Sequence, residues 1–238
     1  MTDGDRLGFD PVAVFGQIDI YLFDQVLRGR ITPRDRVFDA GCGTGRNLVF
    51  LLRAGCEVAA ADADADAIAE VRTLAASLRP DLPPSNFRVE PLEALTIEDA
   101  WADVVISSAV LHFARDGPQF GAMLRGSWRV LRPGGMFFCR LASSIGIESR
   151  IRPVAAGHGQ PASQAADAMP VPGRAKSDAL RPHPTGCFIL PDGTRRFLVD
   201  EQTLMRWTEE IGGDLLDPLK TTVVQDQRSM TTWVVRKR

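Results

Sequence analysis

Apolar residues along the first 145 positions occur either in short continuous runs or at helical spacing, and the two patterns alternate. The short runs predict five strands, at residues 35–39, 56–61, 87–90, 102–107 and 136–141. The segments with helical spacing predict helices at residues 46–53, 62–78 and 119–131. Strands that alternate with helices in this way are typical of a doubly wound α/β sheet whose strands are mostly parallel.

The segments on either side of this core have different patterns. Residues 11–29 carry apolar side chains at helical spacing, which predicts an N-terminal helix that ends at Gly29. Residues 152–184 are rich in proline, glycine and alanine and have no steady period, so we expect an irregular insertion there. After it, residues 187–199 have the pattern of a hairpin, and Asp200 is the predicted cap of a helix.

The end of the chain is expected to complete the sheet. Two β-like runs at residues 219–225 and 230–235 flank a polar turn and would form an antiparallel pair. The predicted fold is one Rossmann-like α/β domain with a seven-stranded, mostly parallel sheet and a C-terminal antiparallel hairpin. Its parts are expected to be an N-terminal helical cap at 1–32, a ligand-binding core at 33–145, an irregular flap at 146–186, and a C-terminal part at 187–238.

Composition and charge restrict the kind of partner. The chain has 238 residues, a formal net charge of −2 and a hydrophobic content of 45%, which are ordinary values for a globular protein. Nothing in this balance provides the basic field that a nucleic acid attracts, which argues against a nucleic-acid partner. The polar start lacks the pattern of a signal peptide, no apolar run approaches membrane-spanning length, and the four cysteines show no paired spacing. We therefore expect a cytoplasmic protein that does not bind membranes.

The chemically most informative stretch is residues 37–47, in which three glycines alternate with small residues between a strand and a helix. Glycine is required where a backbone turns sharply or lets a ligand approach closely. A helix that starts directly after such a turn directs its free N–H groups toward the ligand. This stretch therefore predicts a nucleotide-like cofactor.

Two acidic residues favour one cofactor over another. Asp39 precedes the first glycine by two positions, where its carboxylate would repel the pyrophosphate of NAD. The same carboxylate would attract the ammonium and sulfonium groups of S-adenosylmethionine. Asp62 ends the next strand and could accept hydrogen bonds from both ribose hydroxyls. S-adenosylmethionine is therefore favoured, and NAD stays open as an alternative.

Four segments together resemble the class I S-adenosylmethionine-dependent methyltransferases. Residues 37–47 look like their glycine motif and residues 58–62 resemble the end of their second strand. Residues 101–112 are similar to their fourth-strand motif, and residues 124–135 to their approach to strand five. The resemblance covers residues 33–145, and it implies an S-adenosylmethionine-binding core there, with S-adenosylhomocysteine as the product.

The resemblance also implies roles for individual residues. The positions expected to hold the cofactor are Asp39, Gly41, Gly43 and Gly45 at the glycine turn, Asp62 at the ribose, Ala63 against the adenine, and Ser107 under the cofactor. The family often has an aspartate after strand three that holds the adenine edge, and here that position falls on Pro91. The backbone of Leu92, or the side chain of Glu90 or Glu93, is expected to serve instead.

Two further residues are candidates with an open alternative. His112 follows strand four, where it would be a general base if the acceptor must lose a proton, or else a structural histidine. Tyr21 on the N-terminal helix would cap the sulfonium by a cation–π contact, or else belong to the core.

The expected function is in-line methyl transfer to an oxygen, nitrogen, sulfur or carbon atom of a small molecule. A non-catalytic S-adenosylmethionine-binding module and an NAD-linked oxidoreductase remain as alternatives. Strand four is not followed by an Asn/Asp-Pro-Pro-aromatic run, which argues against methylation of DNA bases, and it lacks a terminal aspartate, so no metal is expected.

Overall fold

A computed structural model describes residues 10–154 and 185–238 of the chain. The helices of these two segments are Pro11–Phe15 (α1), Ile20–Leu27 (α2), Leu48–Ala54 (α3), Ala65–Leu78 (α4), Gly117–Val130 (α5) and Glu201–Glu210 (α6). Short 3-10 turns occur at Pro84–Asn86, Leu92–Ala94 and Leu111–Phe113. Within this described part, no helix combines the length and the apolar character needed to cross a membrane.

The strands fall into one large and one small sheet. Those of the large sheet are Arg36–Ala40 (β1), Glu57–Asp62 (β2), Phe87–Val89 (β3), Ala102–Ser108 (β4), Leu131–Ser143 (β5), Gly213–Leu215 (β9), Lys220–Val224 (β10) and Arg228–Lys237 (β11). Those of the small sheet are Arg152–Pro153 (β6), Gly186–Ile189 (β7) and Arg195–Leu198 (β8).

The large sheet has the predicted doubly wound order. Its strands follow one another as β10, β11, β5, β4, β1, β2 and β3. Neighbours from β5 to β3 are parallel, whereas β11 is antiparallel to both β5 and β10. This confirms the seven-stranded, mostly parallel sheet with a C-terminal antiparallel hairpin. The short strand β9, which pairs with the end of β11, was not predicted.

Both faces of the sheet are buried, as a parallel sheet covered by helices requires. Successive side chains on a strand point to opposite faces. Accordingly, Val37 and Phe138 lie in the apolar layer beneath α3 and α4, while their neighbours Phe38 and Phe137 lie in the layer beneath α5 and α6. The continuous apolar runs seen in the sequence therefore reflect burial on both sides.

The N-terminal segment differs from the single helix predicted at residues 11–29. It forms α1 and α2, which are separated at Gly16, and Asp19 caps the start of α2 by accepting a hydrogen bond from the Tyr21 N–H. Gly16 has a φ of +66°, and a Cβ atom on it would lie 2.7 Å from the Cβ of Val49. The close approach to α3 therefore explains the break, which helical periodicity does not reveal.

Strand β5 is longer than predicted. The residues Pro133-Gly134-Gly135, interpreted as a turn before the strand, lie within it, and the pairing of β4 with β5 changes register between Ala102 and Val104. An irregularity of this kind accommodates glycines and a proline inside a strand.

The predicted hairpin at residues 187–199 forms, but it belongs to the small sheet and not to the large one. Strand β6 adds to it, so residues 152–153 of the expected flap are part of an antiparallel strand. Residues 155–184 of that flap lie outside the described residues. The Ser144 N–H donates to the Val199 carbonyl, and Leu198 packs with Ile147 and Met230. These contacts hold the small sheet over the carboxyl-terminal edge of the large sheet.

We predict that Gly126→Ala destabilises the fold, because a Cβ atom at Gly126 on α5 would clash with the Leu92 carbonyl oxygen. Overpacking a tight contact costs about 1–3 kcal/mol. Gly117→Ala is the matched control on the same helix, since a Cβ atom at Gly117 would have the Phe197 side chain as its nearest contact, at an ordinary 4.0 Å. Urea unfolding should show a lowered free energy of unfolding for Gly126→Ala only. Equal stability of the two variants would contradict the close contact between α5 and the Leu92–Ala94 turn.

Candidate functional site

The glycine turn joins β1 to α3 at the centre of the sheet's carboxyl-terminal edge. Gly41, Gly43 and Gly45 all have positive φ angles, of +82°, +51° and +83°. The Gly41 N–H donates to the Ala61 carbonyl, so the turn is held against the end of β2. A Cβ on Gly41 would lie 2.6 Å from a methyl of Val110, whereas one on Gly43 would meet nothing within 4 Å. The turn is therefore tightly packed at Gly41 and open at Gly43.

Asp62 ties the turn to β2 through its side chain. Its carboxylate accepts a hydrogen bond from the Gly43 N–H at 2.8 Å and another from the Asp64 N–H at 3.0 Å. Two backbone donors thus fix the orientation of the carboxylate at the strand end. Asp62 also lines both cavities described below, so the same group that holds the turn faces the space where a ligand would lie.

Asp39 lies beneath the turn, at the end of β1, and is only 1% exposed. Its Oδ2 atom has no hydrogen-bond partner among the described residues. Burial raises the pKa of this carboxyl to about 7; the positive charge of Arg46 opposes the rise and the negative charge of Asp62 adds to it. Asp39 therefore sits behind the cavity wall as a carboxyl whose charge lacks a bonded partner.

A small cavity of about 200 Å³ lies beside Asp62, past the ends of β2 and β3. Its walls include the predicted residues Ala63, Leu92 and Glu93, together with Pro91 and Phe113. The Leu92–Ala94 turn therefore faces this cavity.

Of the two glutamates considered as substitutes for the family's aspartate, only Glu93 reaches the small cavity. Its carboxylate accepts a hydrogen bond from Gln119. Glu90 instead accepts two hydrogen bonds from Thr96, one from the backbone N–H and one from the hydroxyl.

A main cavity of about 630 Å³ begins at the glycine turn and extends toward the small sheet. On the side of the large sheet it is lined by the turn, by residues 108–110 after β4, and by Arg140 of β5. The rest of the wall comes from β8 and the residues before it in the small sheet, and from β10 and β11 of the large sheet. Ligand sites of doubly wound sheets lie at this carboxyl-terminal edge.

The structure places Ser108, and not Ser107, on the cavity wall. Ser107 is 0% exposed and lines neither cavity, because β4 extends one residue further than predicted and the side chain of Ser107 is on the inner face. The hydroxyl of Ser108 accepts a hydrogen bond from Arg46 at 3.0 Å. The strand tip was thus assigned one residue too early.

Tyr21 does not face the glycine turn. Its hydroxyl is 2.8 Å from the hydroxyl of Thr222, and the cations of Arg140 and Lys220 lie 4.9 and 4.8 Å from its ring centroid. It lines neither cavity. The ring of Tyr21 therefore contacts two cations of its own chain. Its predicted contact with a sulfonium stays a prediction.

Asp19, which the sequence analysis passed over, joins the N-terminal helices to the sheet. It is 5% exposed, and its Oδ2 accepts a hydrogen bond from Arg140 at 3.1 Å and one from Ser108 at 3.4 Å. Arg46 is 3.9 Å from the same oxygen. Arg46 and Arg140 on the cavity wall therefore share one buried counter-charge.

His112 lies in the Leu111–Phe113 turn, lines the main cavity and is 5% exposed. Its Nδ1 atom accepts a hydrogen bond from the Ala142 N–H, 3.1 Å away in β5 beyond the end of β4. In a neutral imidazole with Nδ1 as the acceptor, the proton is on Nε2. Burial, and then the positive charges of Arg196 and Arg228, lower the pKa of His112 to about 3. The neutral side chain therefore presents an N–H group.

Three arginines on the main cavity wall were not found by sequence reasoning: Arg46, Arg196 and Arg228. Arg46 directly follows the glycine motif, and this position was the only feature of the sequence that could have pointed to one of the three. Arg196 and Arg228 lie far along the chain in β8 and at the start of β11, and an arginine in a strand is by itself no sign of a site. Among the described residues, no group of three acidic, histidine or cysteine side chains could hold a metal ion.

Comparison with known proteins finds similarity to methyltransferases. A family model described as a methyltransferase domain matches residues 38–139. An uncharacterised methyltransferase of Synechocystis is 29% identical over 107 residues, which are 45% of this chain and 47% of that protein. The chain thus aligns with about half the length of this curated relative.

Solved structures share the fold at low sequence identity. Burkholderia thailandensis 1,6-didemethyltoxoflavin-N1-methyltransferase, crystallised with 1,6-didemethyltoxoflavin and S-adenosylhomocysteine, has a TM-score of 0.61 and 18% identity, covering 99% of this chain and 82% of that one. Magnesium protoporphyrin IX methyltransferase of Synechocystis, with bound S-adenosylmethionine, has a TM-score of 0.58 and 14% identity, covering 92% of this chain and 77% of that one.

We predict that Asp39→Asn removes a pH-dependent loss of stability. The carboxyl of Asp39 ionises near pH 7 in the folded protein but near its ordinary pKa of 3.8 when unfolded. The folded wild type therefore loses stability relative to the variant as the pH rises from about 4 to 7. Between pH 5 and pH 7 the difference should change by roughly 2–3 kcal/mol, since each pH unit is worth about 1.4 kcal/mol.

Urea unfolding of both proteins at pH 5, 6, 7 and 8 measures this difference directly. A difference in unfolding free energy that does not vary with pH would mean that Asp39 is already ionised at pH 5 in the folded protein.

Proposed function

We propose that the chain is a class I S-adenosylmethionine-dependent methyltransferase that transfers a methyl group from S-adenosylmethionine to a small molecule, in keeping with the methyltransferase-domain model that matches residues 38–139. The observation that carries the proposal is the pair of carboxylates, Asp39 and Asp62, on either side of an open glycine turn. They stand at the ends of adjacent parallel strands, where a positively charged adenosyl compound meets both.

The residues at the turn suit such a cofactor. The unpartnered Oδ2 of Asp39 gains from a positive charge near the glycine turn, and the open space above Gly43 leaves room for close approach. Arg46 lines the cavity near Asp39. The ammonium of an amino-acid group could therefore pair with Asp39 and its carboxylate with Arg46. We propose that Asp39 and Arg46 hold the methionyl end of the cofactor.

The small cavity is proposed as the adenine site. Asp62 lies between it and the main cavity, where its carboxylate can accept hydrogen bonds from a ribose. Ala63, Leu92 and Glu93 provide an apolar surface and one acidic edge for an adenine ring. When bound, the cofactor supplies an activated methyl group, and the chain's own task is to hold the acceptor in line with it and exclude water.

The main cavity is proposed as the acceptor site. Its volume of about 630 Å³ falls within the range typical of pockets for small molecules. It is continuous with the glycine turn, so that an acceptor within it can meet a cofactor bound at the turn.

His112 is proposed as a hydrogen-bond donor to the acceptor. The Ala142 N–H occupies Nδ1, so the free nitrogen of the neutral ring, Nε2, carries a proton and cannot accept one from the acceptor. This favours orientation of the acceptor over the general-base role expected from the sequence.

Calorimetry with S-adenosylmethionine, S-adenosylhomocysteine and NAD tests the proposed cofactor. We expect both adenosyl sulfur compounds to bind and NAD not to bind, because the pyrophosphate of NAD would face Asp39 and Asp62. Binding of NAD alone would overturn the proposal. Binding of both sulfur compounds without methyl transfer in a broad metabolite screen would instead support a non-catalytic binding module.

Asp62→Ala should weaken the binding of S-adenosylhomocysteine by at least about tenfold, because hydrogen bonds to a charged group contribute about 1.5–3 kcal/mol. Asp64→Ala is the matched control, since Asp64 is exposed, caps α4 and lines neither cavity. It should leave the affinity unchanged. Calorimetry together with circular dichroism separates lost binding from lost structure. If Asp62→Ala and the wild type had equal affinities, Asp62 would not bind the ribose.

For His112, we expect His112→Asn to keep most of the activity on an acceptor found in the metabolite screen. Asparagine retains an acceptor for the Ala142 N–H and a donor toward the cavity, whereas His112→Leu has neither and should lose about 10–100-fold in kcat/KM. Loss of a general base costs about 10²–10⁴-fold. If His112→Asn were as slow as His112→Leu, the base would be the better explanation.

A further inference from the structure

The half of the main cavity opposite the glycine turn carries two guanidinium groups, those of Arg196 and Arg228. Among the described residues, the Arg196 side chain donates only to the backbone carbonyl of Arg195, and its guanidinium lies 4.7 Å from the ring centroid of Phe113. Arg228 forms no side-chain hydrogen bond and no ion pair with any described residue, unlike Arg46 and Arg140, which share Asp19.

Negative charge on this side is insufficient to balance the two arginines. Asp192 is the acidic residue of the described cavity wall there, and its carboxylate is bonded to the backbone N–H and the hydroxyl of Thr194. No ion pair within 4.0 Å joins it to Arg196 or Arg228 among the described residues. One carboxylate thus lines the cavity together with two guanidinium groups, neither of which has a bonded counter-ion in the part of the chain that the structure describes.

The two arginines line the same cavity as His112. Each is close enough to the buried ring of His112 to contribute to the lowering of its pKa. The Nε2 of that ring lacks a hydrogen-bond partner among the described residues and bears a proton. Two cations and one neutral N–H donor therefore line the same cavity, and among the described residues the Arg195 carbonyl is the only group that accepts a hydrogen bond from these three donors.

We infer that the methyl acceptor carries an anionic oxygen group, a carboxylate or a phosphate, which binds between Arg196 and Arg228 with His112 as a further donor. Guanidinium groups bind such anions through paired, charge-assisted hydrogen bonds, which fix orientation as well as position. The inference rests on the proposed function, because it assigns this cavity to the acceptor. The anion would hold one end of the acceptor and direct its other end toward the glycine turn.

The experiment is a ligand-observed NMR screen with matched pairs of compounds. Each pair consists of a carboxylic acid and its carboxamide, or a phosphate monoester and its parent alcohol. The screen is run on the wild type with and without S-adenosylhomocysteine. We expect anionic members to bind several times more often than their neutral partners. An equal number of anionic and neutral binders, or no anionic binder, would overturn the inference.

Two double variants test where the anionic compounds bind. Arg196→Gln/Arg228→Gln should lower the affinity for the anionic binders by about tenfold or more and abolish the excess over neutral partners. Arg34→Gln/Arg125→Gln is the matched control, because it removes two positive charges from exposed positions outside both cavities. It should keep the excess. Retention of the excess in the cavity variant, or its loss in the control, would contradict the assigned site.

The affinity for S-adenosylhomocysteine separates the two proposals. Both double variants should bind it as the wild type does, which also shows that they are folded. If neither the wild type nor either double variant bound S-adenosylhomocysteine, the proposed function would be overturned. An anion preference together with normal binding of S-adenosylhomocysteine supports both the proposed function and the anionic acceptor. Normal cofactor binding without an anion preference would leave the proposed function in place and overturn the acceptor class alone.

Discussion

The hydrogen bond from the Gly43 N–H to the Asp62 carboxylate is the constraint on which the site depends. It connects the turn after β1 to the end of β2, and the bond from Gly41 to the Ala61 carbonyl reinforces it. Together they hold the glycine turn in place at the middle of the sheet edge. Because Asp62 reaches both cavities, the geometry of each depends on this link between neighbouring strands.

Charge divides the site into two parts. Asp39 and Asp62 give the side of the glycine turn a negative character, and burial makes the charge of Asp39 costly until a cation arrives. The far side is positive, with Arg196 and Arg228 facing the main cavity. His112 stands near the positive side as a neutral donor. Such an arrangement favours two ligands of different charge, oriented end to end.

Buried charge attaches the N-terminal helices to the large sheet. Asp19 both caps α2 and accepts a hydrogen bond from Arg140 of β5, and the same arginine lies over the ring of Tyr21. Separating α2 from the sheet would leave buried charges unpaired, which is costly. This pairing, and not apolar contact alone, places the first helices beside the cavity.

The sequence by itself determined the doubly wound sheet, the glycine turn and the positions of Asp39 and Asp62, because these follow from local periodicity and from the demands of a strand–turn–helix. Only the tertiary structure decided that Ser108 faces the cavity and that Tyr21 binds cations of its own chain. It alone brought Arg228 and His112 to one cavity. Those features depend on contacts between segments far apart in the chain, and the spacing of residues along one segment carries no information about them.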